Sequence, residues 1–303
     1  MERYLQAIKK RSLHAIDRIK NSYYLLFAPH KRPLSQYNQE HPHPQQMINL
    51  FENEWSSCFP FPYQNLKAGI YPLFEDRRLE WGIQQLGGVG NKKVIELGPL
   101  EGGHSYMLQK HGVSSVTALE ANPRAYLRCL LIKEMMKLDR INFLFGDFNQ
   151  YLTISSEKFD LCLASGVLYH MKNPIGLLAL IAEKCQELYL WTQYYDPLIC
   201  SQLFFRSKFL KPYHNEVEGF KHTLYPFKYG ASRSWSTFIG GPAQTSCWLS
   251  REDILNALCH FGFTQIEVNV EEENPLHGPC FSLVAKKASA LITSSVVDSA
   301  ILA

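Results

Sequence analysis

The sequence predicts an α/β protein: a doubly wound, mostly parallel seven-stranded sheet with an antiparallel edge strand, preceded by a helical and irregular N-terminal extension. Three observations predict it. From residue 92 onward, short apolar runs alternate with longer helical stretches, and that alternation is the pattern of a parallel sheet covered on both faces. The helix starts between the runs are marked, because "ANPRA" offers Asn122 as N-cap with Pro123 at the first helical position and "KNPIG" repeats the device with Asn173 and Pro174. The last two apolar runs are joined only by "EEENPLHGP", too short for a crossover helix, so they form an antiparallel hairpin at the sheet edge.

Taken in order, Leu5, Ile8, Leu13, Ile16, Ile19, Tyr23 and Leu26 recur at mostly helical spacing among basic residues, which predicts an amphipathic opening helix packed on the main domain. Pro29 to Pro72 is rich in proline and aromatic residues and reads as irregular backbone laid over something else. Residues 1–91 form the extension. The strands are Lys93 to Leu97, Ser115 to Glu120, Ile141 to Phe145, Phe159 to Ala164, Glu187 to Trp191, Thr264 to Val270 and Phe281 to Ala285. A helix from Arg251 to Phe261 precedes the last two, with Ser250 and Asp253 spaced as a capping box. Within the domain of residues 92–287, residues 197–248 form an insertion far longer than an ordinary connection. The tail, 288–303, is serine-broken, carries Asp298 and fails as a membrane span.

Composition narrows the function classes. The chain is 46% hydrophobic and 19% charged, so it is globular, and 31 basic against 28 acidic residues leave a formal charge of +3. That balance gives no electrostatic case for a dedicated nucleic-acid binder. Eight cysteines are scattered without a CxxC pair, which argues against disulfides and zinc and for a reducing, cytoplasmic setting. "HPHP" at His41 to Pro44 reads as a solvated loop.

The stretch "KVIELGPLEGGHS", Lys93 to Ser105, reads as a strand breaking into a glycine-rich turn. A dinucleotide turn needs G-x-G-x-x-G, but Leu100 stands at the second glycine position. Glu96 and Glu101 in the turn are poor company for phosphates, and no Gly-Lys-Ser/Thr follows to make a phosphate loop. The expected ligand lacks phosphate and carries positive charge. Glu120 ends the second strand about 22 residues beyond Gly98, where a carboxylate accepts hydrogen bonds from both hydroxyls of a ribose.

"VIELGPLEGG", "VTALEANP", "FLFGDF" and "FDLCLASGVLYHMKNP" occur in the order and spacing of the class I S-adenosylmethionine-dependent methyltransferases, which the chain resembles from about Lys92 to Lys286. The resemblance implies a Rossmann-like fold and S-adenosylmethionine as cofactor. It places Glu96, Gly98 and Gly102 against the methionine portion, Glu120 on the ribose, Asp147 on the adenine amino group with Phe148 packed on the ring, and Ser165 at the end of the fourth strand. The departure at Leu100 bears on the path of the loop. Asp147 has a plainer alternative, the capping of the next turn. Asp160 opens the fourth strand, so it belongs at the opposite end of the sheet.

Methyl transfer from a sulfonium is an in-line displacement with a good leaving group, so positioning carries much of it and a base is optional. Tyr169, His170 and Tyr194 are the catalytic candidates. His170 suits two roles: a general base titrating near neutrality, or a residue that fixes its loop. The fourth strand lacks the terminal acid that a magnesium-dependent oxygen methyltransferase uses, which leaves metal-free transfer to a small-molecule acceptor. "GVLYHMKNP" is similar to the branch that carboxymethylates wobble uridine in tRNA, making tRNA an alternative partner. A non-catalytic cofactor-binding module is the third reading.

Overall fold

The computed structural model describes residues 37–229, 241, 243–269 and 277–288. The opening helix expected at Leu5 to Leu26, Trp235 and Phe238 of the insertion, and the tail beyond residue 288 lie outside the described residues. The chain divides into two units, Met1–His43 and Pro44–Ala303. Of the first, residues 37–43 are described, and all are exposed, His41 and His43 included.

The second unit is built on a seven-stranded sheet. In chain order it carries α1 (Pro44–Asn49), α2 (Arg77–Gln85), β1 (Lys93–Leu97), α3 (Gly103–Lys110), β2 (Ser115–Glu120), α4 (Pro123–Met136), β3 (Ile141–Phe145), α5 (Phe148–Ile154), β4 (Phe159–Ser165), α6 (Pro174–Lys184) and β5 (Cys185–Gln193). There follow α7 (Pro197–Gln202), β6 (Tyr213–Val217), β7 (Phe220–Lys228), β8 (Thr245–Trp248), α8 (Arg251–His260), β9 (Phe263–Val268) and β10 (Cys280–Lys287). The sheet order is β3-β2-β1-β4-β5-β10-β9, and β1 to β5 run parallel. The final hairpin closes one edge: β10 pairs antiparallel with β5 and with the outermost strand β9. Because the chain leaves β1 for β2 on one side and returns to β4 on the other, a crevice opens at the carboxyl ends of β1 and β4, where ligands of open α/β sheets bind.

The helix starts follow the sequence. The Asn122 side chain accepts from the amides of Arg124 and Ala125, Asn173 from Gly176, and Ser250 from Asp253, each cap contributing about 1 kcal/mol. Residues alternate along the strands, so Ile95, Leu97, Leu188 and Leu190 enter one core with Ile175, Leu178 and Leu258. Val94, Val116, Leu161 and Tyr189 enter another core.

That second core corrects the boundary expected at residue 91. Ile48, Phe51, Trp55, Phe59, Phe74, Leu79 and Ile83 are buried in it. A buried side chain of this kind contributes roughly 1.5–3 kcal/mol, so residues 44–91 are part of the same compact unit as the sheet. The insertion is also more ordered than a long connection: β6, β7 and β8 form a three-stranded antiparallel sheet. The amide of Cys247 donates to the Met171 carbonyl at 2.7 Å, which fastens β8 to the loop after β4.

Candidate cofactor and acceptor site

The glycine turn leaves β1 with Gly98 at φ 66, Leu100 at φ 57 and Gly102 at φ 78. Leu100 takes the left-handed conformation that a glycine would hold there, at a steric cost of about 1–2 kcal/mol, so the departure at this position does not divert the backbone. Gly98 is needed for space as well, because a Cβ there would lie 2.9 Å from Val167 Cγ1. The Leu100 amide donates to Glu120 Oε2 at 3.2 Å.

The two carboxylates of the turn part company. Glu96 is buried and accepts from the Ser105 hydroxyl; burial pushes its carboxyl above the ordinary range against the pull of His104 and Ser105. Glu101 turns inward. It is 1% exposed, and it accepts from the amides of Ser56 at 2.7 Å and Ser57 at 3.0 Å and from Arg128 Nη1 at 3.1 Å. Three donors in the protein, one of them a cation, satisfy it.

Glu120 stands at the end of β2, 8% exposed. The Asn122 amide donates to Oε1 at 2.8 Å and the Leu100 amide to Oε2. Burial raises its carboxyl above the usual range, with these backbone donors pulling the other way. Each carboxylate oxygen accepts one amide and keeps capacity for another donor. Asp147 follows β3 and caps α5, accepting from the amides of Asn149 at 2.7 Å and Gln150 at 3.2 Å. It is exposed and Phe148 half-buried against the core. The Gly146 amide donates to the Glu120 carbonyl at 3.0 Å, which brings the ends of β2 and β3 together.

Across the crevice, Ser165 ends β4 opposite Trp191 of β5. The short helical turn Leu168–His170 follows. Tyr169 sits edge-on to Trp191 at 5.9 Å and to Trp248 at 6.1 Å between ring centroids, and burial pushes its phenol well above its ordinary range. His170 is held from the insertion. It is 8% exposed with Nδ1 2.5 Å from the Tyr229 hydroxyl, and burial lowers it from 6.5 to about 4. Of the two roles the sequence leaves to it, the bond to Tyr229 and the burial favour the one that fixes its loop. Tyr194 is 4% exposed and packs on Phe281 in the core. Asp160 lies at the opposite end of the sheet, as expected, accepting from the Lys93 amide at 2.7 Å.

Sequence reading missed the wall that α2 supplies. Asp76 caps that helix and pairs with Arg78 at 2.7 Å and with His104 Nε2 at 3.0 Å. The Arg78 guanidinium lies over Trp191, 4.6 Å from its ring centroid. "EDRRLEWG" carries an N-cap aspartate and basic residues, but nothing in it marks a site.

Residues 95–186 match the family model described as a methyltransferase domain. In fold, the chain is similar to the N-terminal domain of EvdMO1 solved in the presence of S-adenosylhomocysteine (SAH) and D-fucose, with 21% identity over 80% of this chain and 95% of that one and a TM-score of 0.61. The same domain with SAH bound aligns equally well. Against the EvdMO1 structure not limited to that domain the TM-score is 0.52, and the chain spans 46% of its length. No curated protein matches the sequence. The architecture is the Rossmann-like methyltransferase fold, and the segment that matches a methyltransferase domain, residues 95–186, carries the glycine turn and runs from β1 through β4 of it.

Proposed function

We propose that the chain is an S-adenosylmethionine-dependent methyltransferase that moves a methyl group to an oxygen, nitrogen or carbon of a small-molecule acceptor without a metal. One observation carries the reading: the Glu120 carboxylate, pinned by two backbone amides at the end of β2, stands beside a turn that is left-handed at Gly98, Leu100 and Gly102. Such a carboxylate suits the two hydroxyls of a ribose. The same crevice offers Glu96 to a positively charged amino-acid end, and Asp147 with Phe148 to an adenine. When bound, the cofactor supplies a methyl on a sulfonium whose departure needs little help.

The chain's own part is then to position and to exclude water. Tyr229 holds His170, and the Cys247 amide holds Met171, so the loop after β4 is fixed from the insertion. Tyr169 and Trp191, both part-buried, present aromatic faces on the acceptor side, with Trp248 packed behind Tyr169. These aromatic faces, and the D-fucose in whose presence, with SAH, the EvdMO1 domain was solved, favour a small acceptor over a broad nucleic-acid groove. The tRNA wobble-uridine branch draws no support from the comparisons.

Calorimetry with the full chain tests the reading: S-adenosylmethionine or SAH binds at 1:1. Binding of a nicotinamide dinucleotide in their place would overturn it. Turnover of an acceptor survives EDTA; loss restored by magnesium would refute the metal-free claim, and a protein that binds SAH but turns over no acceptor would favour a non-catalytic module.

A further inference from the structure

Arg78 lies outside the matched segment 95–186 and outside the motifs of the glycine turn and strand ends. It stands in the first turn of α2, four residues before Gly82. A Cβ on Gly82 would come within 2.3 Å of the Tyr189 ring, so this face of the helix lies directly on β5. The same face carries the Arg78 guanidinium to Trp191, which pairs with Ser165 at the carboxyl ends of β4 and β5. A cation is thus placed beside the crevice.

The guanidinium is gripped from one side. Asp76 accepts from Nε at 3.0 Å and from Nη2 at 2.7 Å, while His104, in the first turn of α3, holds the same carboxylate. Burial opposes a charge on Asp76, yet the hydrogen bonds from His104 and Arg78 outweigh it and keep the carboxyl well below its ordinary range. Arginine has five N–H donors, and Asp76 uses two of them. Among the described residues no further acceptor engages the guanidinium, and the side chain is 38% exposed. Donors on a preorientated cation, resting on an indole, are left for a ligand with matching geometry.

We infer that Arg78, aimed by Asp76, binds a carboxylate at the crevice, borne either by the amino-acid end of the cofactor or by the acceptor; the inference rests on reading this crevice as the methyl-transfer site. Calorimetry on the full chain separates the two sources with three probes: SAH, 5′-methylthioadenosine, which lacks the amino-acid end, and benzoate titrated with and without saturating SAH. The variants are Arg78→Gln and Arg78→Lys, the second keeping the charge without the fork. Losing a charge-assisted contact costs at least about tenfold in affinity.

If the carboxylate is the cofactor's, Arg78→Gln weakens SAH at least tenfold and leaves methylthioadenosine within twofold, with Arg78→Lys recovering part of the loss. If it is the acceptor's, SAH stays within twofold while benzoate binding to the SAH-loaded protein disappears. The inference falls if Arg78→Gln binds SAH like the wild type and benzoate either binds both proteins alike or binds neither. It falls also if SAH and methylthioadenosine weaken together, the mark of a helix that has merely shifted. A wild type that binds neither nucleoside refutes the cofactor reading instead, and benzoate titration of the unliganded protein then decides the role of Arg78.

Discussion

Replacing His170 with Asn tests whether this imidazole is a buried, neutral anchor. Burial takes its pKa from 6.5 to about 4, which amounts to roughly 3 kcal/mol when fully developed. The direction follows from proton binding: between those values the unfolded chain holds more protons than the folded one, so stability rises with pH. The contribution is whole above 6.5 and is lost as pH falls toward 4. Between pH 7.5 and pH 5 the loss is about 2 kcal/mol. Urea unfolding of wild type and His170→Asn at both pH values isolates it, because other titrating groups cancel in the difference. The wild type should lose about 2 kcal/mol more than the variant on acidification; equal losses would refute the buried-neutral assignment. Kinetics then decide the chemistry. If the imidazole takes a proton from the acceptor, kcat falls about a hundredfold or more in His170→Asn, and an acid limb near pH 4 vanishes. A variant that keeps its rate and profile makes His170 an anchor for its loop.

Two further outcomes are specific. Glu120→Ala removes the acceptor for the ribose hydroxyls and should weaken SAH by about 1–3 kcal/mol in calorimetry; unchanged affinity would move Glu120 out of the site. Arg128→Met leaves the Glu101 carboxylate buried without its cation, and chemical denaturation should show a loss of about 3–5 kcal/mol, where a change below about 1 kcal/mol would make the pair incidental.

The order of strands and helices was legible because it is written locally. Caps at Asn122, Asn173 and Ser250, and apolar runs bounded by turns, each need only a few neighbouring residues. The positions of Gly98, Glu120 and Asp147 at strand ends were legible for the same reason, because strand ends show in the sequence. The insertion hid its sheet because Pro226 lies inside β7, where proline argues against a strand. Its hairpin turns on Glu218 and Gly219, both with positive φ, without the Asn-Gly or Asp-Gly that advertises such a turn. The His170 environment was illegible because its partner Tyr229 is 59 residues away. Arg78 escaped notice similarly, its meaning set by Trp191, more than a hundred residues later.

Leu100 and Glu101 show how one turn reconciles a missing glycine with a fixed shape. The left-handed Leu100 costs about 1–2 kcal/mol, which on its own would let the turn relax and withdraw its amide from Glu120. The next residue prevents this. Glu101 is anchored by the Ser56 and Ser57 amides and by Arg128, and Arg128 Nη1 also donates to the Glu54 carbonyl. Charge-assisted bonds of this kind contribute more than neutral ones, enough to offset the strain next door. The segment around Trp55 therefore holds the turn from behind. A turn with glycine at position 100 would need that clamp less, which ties the departure in the motif to the aromatic segment that precedes it.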